Sequence, residues 1–452
     1  MSFWLETAGD LTPRPQLDGS IEAEVAILGA GYTGLWTAYE LLQREPSLQV
    51  VLLERDIAGY GASGRNGGWC TSDVGASVGL LQRRFGRDRA RSVLLAMYDT
   101  VNDVGEVARQ EAIDAGYRKG GQLFIARGEG QLPSLRAAHD EVVAAGLGDH
   151  YTLLDRDDLR GRLTVDDGVA ALYTPECAVV HPGRLVRGLA AAVERRGARI
   201  FEKTLVTRWT AGARPCFHTE SGDVKARVLV LAGEAYLSQL AATHRALLPV
   251  YSLIVLTEPL SDEQWANVGW ERHECVASMR LTVDYLSRTE DGRILVGGRG
   301  APYAFASTMR EALAQHAQTH ERLREMLYEW FPQLRGVRFS HAWGGAVGIS
   351  RDFIPSVYFD RRAGIAGAYG YTGQGVAFAK LASTALAELI TDQRSALSEL
   401  PFVGHRSRAW EPEPFRWIGV RGVQAGLART DAKRARMRRA TRRTLVERIA
   451  AH

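Results

Sequence analysis

Gly29-Ala30-Gly31-Tyr32-Thr33-Gly34 and Glu54 are the residues whose types and spacing most directly suggest chemistry. Gly29 permits a tight turn, Gly31 lets backbone approach a pyrophosphate, and Gly34 lets a helix pack close to a strand. A helix starting here would aim free N–H groups and a positive dipole end at a phosphate. Glu54 lies 20 residues after Gly34, where an acid can accept both hydroxyls of a ribose. This spacing points to an ADP-containing dinucleotide, NAD or FAD, as the ligand. An acid with no basic residue other than the adjacent Arg55 argues against the 2′-phosphate of NADP. A second glycine cluster, Gly59-Tyr60-Gly61-Ala62-Ser63-Gly64-Arg65-Asn66-Gly67-Gly68, follows within five residues. It suits neither strand nor helix. Its backbone can approach a flat ring or a phosphate, and Ser63, Arg65 and Asn66 supply donors.

The elements that must position these groups are legible around them. Val25-Ala26-Ile27-Leu28 reads as a buried strand. Leu35 to Arg44 has helical spacing, with Leu35, Ala38, Leu41 and Leu42 on one face, and Gln49 to Leu53 is the next strand. Strand, glycine triplet, helix, strand and acid in this order make one βαβ unit.

Composition narrows the classes. The 452 residues suggest two or three domains. No apolar run approaches the ~18 residues that cross a bilayer. Glu6 and Asp10, with no basic start and apolar run, argue against a secretory leader. The net charge of +4 is uneven. Asp431 to His452 carries Lys433, Arg434, Arg436, Arg438, Arg439, Arg442, Arg443 and Arg448 against Asp431 and Glu447, which leaves the rest of the chain slightly acidic. That excludes a basic body gripping nucleic acid. A basic run of this kind is more often a solvated face than a membrane contact. Cys70, Cys177, Cys216 and Cys275 lie far apart with no Cys-x-x-Cys. No metal site or disulfide framework is expected, and a reducing, cytoplasmic location is the natural reading.

The two glycine clusters together resemble the FAD-dependent D-amino-acid oxidase-like superfamily, which includes glycine oxidase, sarcosine oxidase and related amine oxidases. Ala62-Ser63-Gly64-Arg65-Asn66-Gly67-Gly68 and the opening Trp4-Leu5-Glu6-Thr7-Ala8 resemble its gamma-glutamylputrescine oxidase-like branch. The resemblance runs to about Pro414. It implies that the ligand is FAD, with the second glycine cluster along the pyrophosphate and isoalloxazine and Arg65 near the ring. It implies that backbone at Val206 holds the adenine and that the Val228–Gly233 segment returns the chain to the cofactor. Glu234 departs from the Thr, Asn or Gly usual there. Trp343-Gly344-Gly345, with Asp352 and Pro355, resembles the late motif facing the flavin. Tyr369-Gly370-Tyr371-Thr372-Gly373-Gln374-Gly375-Val376 resembles the last flavin-binding turn, opening a helix from Val376 to Ile390. Covalent members carry a cysteine after the Trp-Gly motif. Val347 to Asp352 has none, so FAD is expected to be non-covalent. Arg293 to Gly297 also lacks the lysine that sarcosine oxidase-like members use to help oxygen react.

The expected fold is a Rossmann-like α/β FAD-binding domain with an inserted, mainly antiparallel-sheet substrate domain. Residues 1–90, 175–237 and 339–400 form the first, residues 91–174 and 238–338 the second, and residues 401–452 a basic helical extension. Long helices are expected at Val93 to Gly116 and Met309 to Trp330. A strand is expected from Arg199 to Val206, and a hairpin over Val283 to Gly297. The apolar side chains Phe415, Trp417, Ile418, Val420 and Val423 are expected to pack back on the protein.

The expected reaction is oxidation of the C–N bond of a small amine or amino acid to an imine, by hydride transfer to FAD with O2 as acceptor, giving H2O2. Such chemistry relies on positioning, and no Ser–His–Asp or Cys–His signature is present. Tyr251, Tyr285, His341, Trp343 and Tyr371 are the pocket candidates, with aromatic walls suited to an amine. His181-Pro182 reads as a structural turn. Arg280 and Arg299 are the candidates for a substrate carboxylate. The alternatives are a dehydrogenase or natural-product tailoring enzyme on the same fold, and a non-catalytic flavoprotein or tail-anchored module.

Overall fold

A computed structural model describes residues 1–299 and 303–435. Six strands form one sheet in the order Ser356–Asp360, Ile365–Tyr369, Val228–Leu231, Val25–Leu28, Val50–Leu53, Arg199–Phe201. All pairings are parallel except at the Ser356–Asp360 edge. The inner strands are apolar on both faces because both faces are covered. On one face the helices Tyr32–Arg44 and Gly375–Thr391 share a core in which Leu35, Leu41, Phe378, Leu381 and Leu386 are buried. On the other, Ala26, Val51, Leu53, Leu229 and Leu231 pack against Phe217 and Val224. Those two residues belong to a small four-stranded sheet that includes Val206–Thr210.

Eight strands form the second large sheet, in the order Phe339–Ile349, Leu248–Thr257, Ile294–Arg299, Asp284–Arg288, Cys275–Ser278, Gln122–Arg127, Gly168–Thr174, Thr152–Leu154. It is antiparallel except where Cys275–Ser278 meets Gln122–Arg127. The helix Ala317–Trp330 lays Leu323, Met326, Leu327 and Trp330 on Leu253, Val255 and Val296. The hairpin expected over Val283 to Gly297 is present, with Asp284 opposite Gly298 and Arg288 opposite Ile294.

Several expected boundaries move, each for a local reason. The strand Phe339–Ile349 pairs along its length with Leu248–Thr257, so residues 339–349 lie in the eight-stranded sheet and not with the parallel one. The long helix runs Arg87–Gln110, begins after Gly86 (φ 86°), and buries Val93, Met97, Val101, Val104 and Ala108 in the core of the parallel sheet's helices. Its apolar stripe therefore faces the dinucleotide side, although residues 91–174 were expected in the other domain. The segment from Arg199 to Val206 splits into Arg199–Phe201 and Val206–Thr210. Between them Lys203 turns with φ 53°, and the buried Glu202 carboxylate accepts the N–H groups of Ala58 (2.8 Å) and Arg14 (2.8 Å). The segment from Met309 to Trp330 is likewise two helices, Glu311–Ala314 and Ala317–Trp330, divided by an extended His316.

In the C-terminal helix Phe415–Ala435, Val420 packs back on the protein as expected, and the other four apolar residues do not. Phe415 and Ile418 are 69% and 59% exposed, and Trp417 and Val423 are also exposed. The face turned to the protein carries Arg416, Val420 and Asp431. Asp431 accepts the backbone N–H groups of Leu281 (3.0 Å) and Thr282 (2.8 Å) and the Thr282 hydroxyl. At the other end Glu413 accepts from Tyr303, Ala306 and Arg416. The remaining tail arginines, Arg436 onward, lie outside the described residues. Among the described residues no helix is long and apolar enough to cross a membrane.

Candidate functional site

The carboxyl ends of the parallel strands converge on one cleft, the usual ligand position of an open α/β sheet. It is lined by the turn Leu28–Thr33, by Glu54 and Arg55, by Gly59 to Ser63 with Asn66, by Thr204–Val206, by Ala232–Tyr236 and by the start of the Gly375–Thr391 helix.

The glycines of the first turn are there because nothing larger fits. Gly29 sits at φ +100°, and a Cβ on it would lie 2.9 Å from the Ala232 carbonyl oxygen. A Cβ on Gly34 would lie 1.9 Å from the Gly29 oxygen, and one on Gly31 would lie 2.9 Å from Ser63 Oγ. The strand, turn and first helix are therefore pressed into contact, and the helix N-terminus opens onto the cleft. There the Tyr32 N–H donates to Ser63 Oγ at 2.8 Å. Glu54 accepts from Ala30 N (2.9 Å) and Asp56 N (2.9 Å). Burial pushes its pKa up, and those two N–H groups oppose the rise. Arg55 lies over the Tyr236 ring at 4.8 Å and pairs with Asp56. A glycine cradle, a helix N-terminus and an acid at the second strand's end fit the pyrophosphate and ribose of a dinucleotide. Val206, Gly233, Ala62, Ser63, Asn66, Gly373, Gly375 and Val376 line the same cleft.

Asn66 rivets the second glycine cluster: its Nδ2 donates to Ala62 O and Ser63 O, and its Oδ1 accepts from Gly68 N. Gly68, at φ +76°, passes under the Val180 carbonyl, and Gly67 leaves room for the Tyr285 ring. Arg65 does not itself line the cleft; its guanidinium lies 4.4 Å over the ring of Tyr60, which does. It donates to Tyr60 O (2.8 Å), Gly344 O (3.2 Å) and Glu311 Oε1 (3.0 Å). It thus ties the cluster to Gly344 and the inserted sheet.

The aromatic candidates divide. Tyr371 lines the cleft, its hydroxyl 2.9 Å from Thr33 Oγ1. Tyr285 packs on Gly67 and Gly297 with its hydroxyl 3.0 Å from Ser252 Oγ, and burial pushes its pKa to about 12. Trp343 is 1% exposed, in a cluster with Phe3, Trp4, Ile254 and Leu295. Its indole N–H donates to Arg65 O (3.0 Å) while Trp4 donates to Asn66 O (2.7 Å), so both indoles support the glycine cluster from behind. His341 does not reach the cleft: its ring meets Glu6 (3.2 Å), Ser340 and Phe3. The Tyr251 hydroxyl accepts the Arg310 N–H and donates to its carbonyl. His181 caps the helix Pro182–Arg195 by accepting Arg184 N.

A chamber of about 1990 Å³ adjoins the cleft. Arg299, Thr372 and Gln374 lie at its inner end, the helix Ala317–Trp330 forms a wall, and the C-terminal helix roofs it through Val420, Val423 and Leu427. Arg299 Nη2 donates to the Thr372 carbonyl at 2.8 Å. Among the described residues no carboxylate lies within ion-pair distance of it. Burial lowers its pKa, and Tyr285 opposes that. Arg280 also faces the chamber, 3.6 Å from Glu329. Of the two arginines, Arg280 has a carboxylate neighbour and Arg299 has none among the described residues.

Tyr32, Thr33, Tyr60 and Tyr236 also line the cleft and were not among the candidates. The first two sit inside the glycine motif, so their position was available to sequence reasoning. Tyr236 follows Gly233 by three residues and carried no signal.

The profile of the FAD dependent oxidoreductase (DAO) family matches residues 24–389. The chain is 31% identical over 416 residues to a gamma-glutamylputrescine oxidoreductase of Escherichia coli, covering 90% of this chain and 94% of that protein. It is 29% identical to a probable oxidoreductase of Rhizobium meliloti, covering 88% and 90%. Among solved structures, glycine oxidase from Geobacillus kaustophilus superposes with a TM-score of 0.69 at 21% identity, covering 86% of this chain and all of that one. L-proline dehydrogenase from P. horikoshii gives 0.67 at 18%, covering 86% and 96%.

Proposed function

We propose that this chain, which belongs to the FAD-dependent oxidoreductase family, oxidises the C–N bond of a small amine or amino acid to an imine. Water then releases the carbonyl product and ammonia or an amine. The observation that carries the reading is Arg299: a half-buried cation with no carboxylate within ion-pair distance among the described residues, at the junction of the dinucleotide cleft and a chamber large enough for an organic amine. The names of the relatives, which act on a putrescine conjugate, glycine and proline, support an amine substrate.

Bound non-covalently, FAD supplies a two-electron acceptor for the hydride leaving the carbon beside nitrogen. The chain's part is to bind and orient. Gly29, Gly31, Glu54, Ser63, Gly233, Gly373, Gly375 and Val376 would hold the cofactor, and Gly34 would act by closing the first helix onto the turn. Arg299 pairs with a substrate carboxylate, and its bond to Thr372 O fixes the guanidinium. Tyr285 lines neither the cleft nor the chamber; its ring, packed on Gly67 and Gly297, braces the second glycine cluster from the inserted sheet. No strong base is needed if the amine enters neutral. The parallel-sheet unit serves as cofactor domain, and the eight-stranded sheet with its helices as substrate domain.

Oxygen as acceptor, giving H2O2, is the first reading. A dehydrogenase is the second, favoured by Arg293 to Gly297 lacking a lysine. Anaerobic mixing of the holoenzyme with a panel of amines and amino acids tests the substrate class by loss of the oxidised flavin band. If no amine bleaches it, the proposal fails. Peroxide release on admitting air separates oxidase from dehydrogenase. Arg299→Gln raises KM for carboxylated amines and leaves FAD bound; an unchanged KM removes its role.

A further inference from the structure

Glu234 departs from the small or amide side chain that the resemblance leads one to expect, and it lines the cofactor cleft. It follows Gly233 with φ 46°, a left-handed conformation uncommon for any residue but glycine. Its carboxyl turns under the chain at Gly370 and Tyr371 and accepts both N–H groups with Oε1, at 3.2 and 3.0 Å. Oε2 is buried without a hydrogen-bond partner. It fits only because residue 348 is glycine, where a Cβ would lie 2.2 Å away. An orphaned carboxylate oxygen is costly, whereas a protonated one becomes a donor.

Among the described residues no cation is within ion-pair distance of it, although Arg406 acts on the neighbouring Tyr369. The Tyr369 and Tyr371 hydroxyls, on the adjoining turn, both feel its charge. Tyr236 faces the cleft from its own segment. The strand Phe339–Ile349 contributes Gly348, and Leu247 meets the same point with an apolar side chain. Arg55 is held by Asp56 and Tyr236, and Arg65 by Glu311 and Gly344. Gly29 packs on the backbone of Ala232 and Gly233, the two residues before Glu234, and Glu234 lines the same cleft as Gly29 and Gly31, which would take the anionic pyrophosphate.

We propose that Glu234 is protonated when FAD is bound, so that loading the cofactor takes up a proton at this residue. The inference rests on FAD as cofactor and is independent of which amine is oxidised. Two negative groups in one buried cleft disfavour each other, and by linkage whatever favours the neutral acid favours FAD, and the reverse. Burial already pushes the Glu234 pKa up to about 7, against the two backbone N–H groups that lower it. Bringing in the pyrophosphate raises it further. FAD affinity therefore falls as pH rises above that value, approaching about tenfold per pH unit.

Full-length holoenzyme, serially diluted between pH 6 and 9, reports the FAD dissociation constant through flavin fluorescence. Calorimetry of FAD rebinding in two buffers of different ionisation enthalpy counts protons taken up. The wild type should lose affinity about tenfold per unit on the alkaline side and take up most of one proton at pH 8. Glu234→Gln, neutral and of the same shape, should show a flat profile and no uptake. A wild-type constant that does not vary with pH, or the same slope in Glu234→Gln, overturns the proposal. If the variant does not fold, the wild-type proton count decides alone, and a count of zero refutes it.

Discussion

Replacing Gly34 by alanine tests whether the first turn and helix are closed onto each other as tightly as the geometry requires. The added Cβ would lie 1.9 Å from the Gly29 oxygen, 3.1 Å from its carbonyl carbon and 3.2 Å from Ile27 Cγ2. Carbon and oxygen need roughly 3.2 Å, so helix and turn must separate by about 1.3 Å, and both are backbone with no rotamer to yield. Overpacking of this kind costs about 1–3 kcal/mol of stability. The larger effect falls on the cofactor. The free N–H groups at the start of Tyr32–Arg44 move with the helix, and losing two charge-assisted bonds of about 1.5–3 kcal/mol each weakens FAD by about 10²- to 10⁴-fold. Flavin fluorescence on dilution gives the dissociation constant, and a thermal melt gives stability. Gly31→Ala should cost less stability, because its clash at 2.9 Å is with Ser63 Oγ, which can rotate, and it should still weaken FAD, because its Cβ would stand in the cleft where the pyrophosphate approaches. Gly419→Ala, in the C-terminal helix with no atom within 4 Å, is the control and should gain up to about 1 kcal/mol. Gly34→Ala binding FAD within threefold of wild type and melting at the same temperature would refute the packing argument.

Three further outcomes are expected. Burial, then the nearby Arg184, lowers the His181 pKa to about 4. The unfolded chain therefore binds the proton first, and the stability His181 contributes is complete above about pH 6.5 and is lost as pH falls toward 4. Chemical denaturation at pH 7 and pH 5 should show a smaller difference in His181→Asn, which keeps a helix-capping acceptor; an identical difference removes His181 as the cause. Asp431→Ala removes the acceptor for Leu281, Thr282 and the Thr282 hydroxyl, costing about 1–3 kcal/mol locally. Steady-state kinetics should then show a changed KM with FAD affinity intact, and a loss of FAD instead would mean the roof also supports the cofactor cleft. Denaturation in acid or detergent followed by filtration should release all the flavin, since none of Cys70, Cys177, Cys216 and Cys275 lines the cleft and all are buried; colour kept on the polypeptide would contradict non-covalent binding.

The cofactor half of the site was largely legible in the sequence. Gly29, Gly31, Gly34 and Glu54 are spaced by the geometry of one strand, turn and helix, and Gly373, Gly375 and Val376 by another such turn. Local periodicity and steric room set those positions, so a linear string can carry them. Breaks depending on a single local contact were not legible: the buried Glu202 bends one strand into two, and the extended His316 divides a helix. The substrate half was decided by tertiary structure. Trp343 and His341 sit on one strand two residues apart, yet Trp343 closes a core behind the glycine cluster while His341 meets Glu6. Arg299 became distinct from Arg280 only when packing placed it at Thr372 with no carboxylate within ion-pair distance among the described residues. Glu234 was visible as an unusual residue, but whether its second oxygen finds a partner depends on segments more than 100 residues away in sequence. Short-range spacing determines where a phosphate can be cradled; which side chains face one cavity, and which of their charges go unanswered, depends on how distant segments pack.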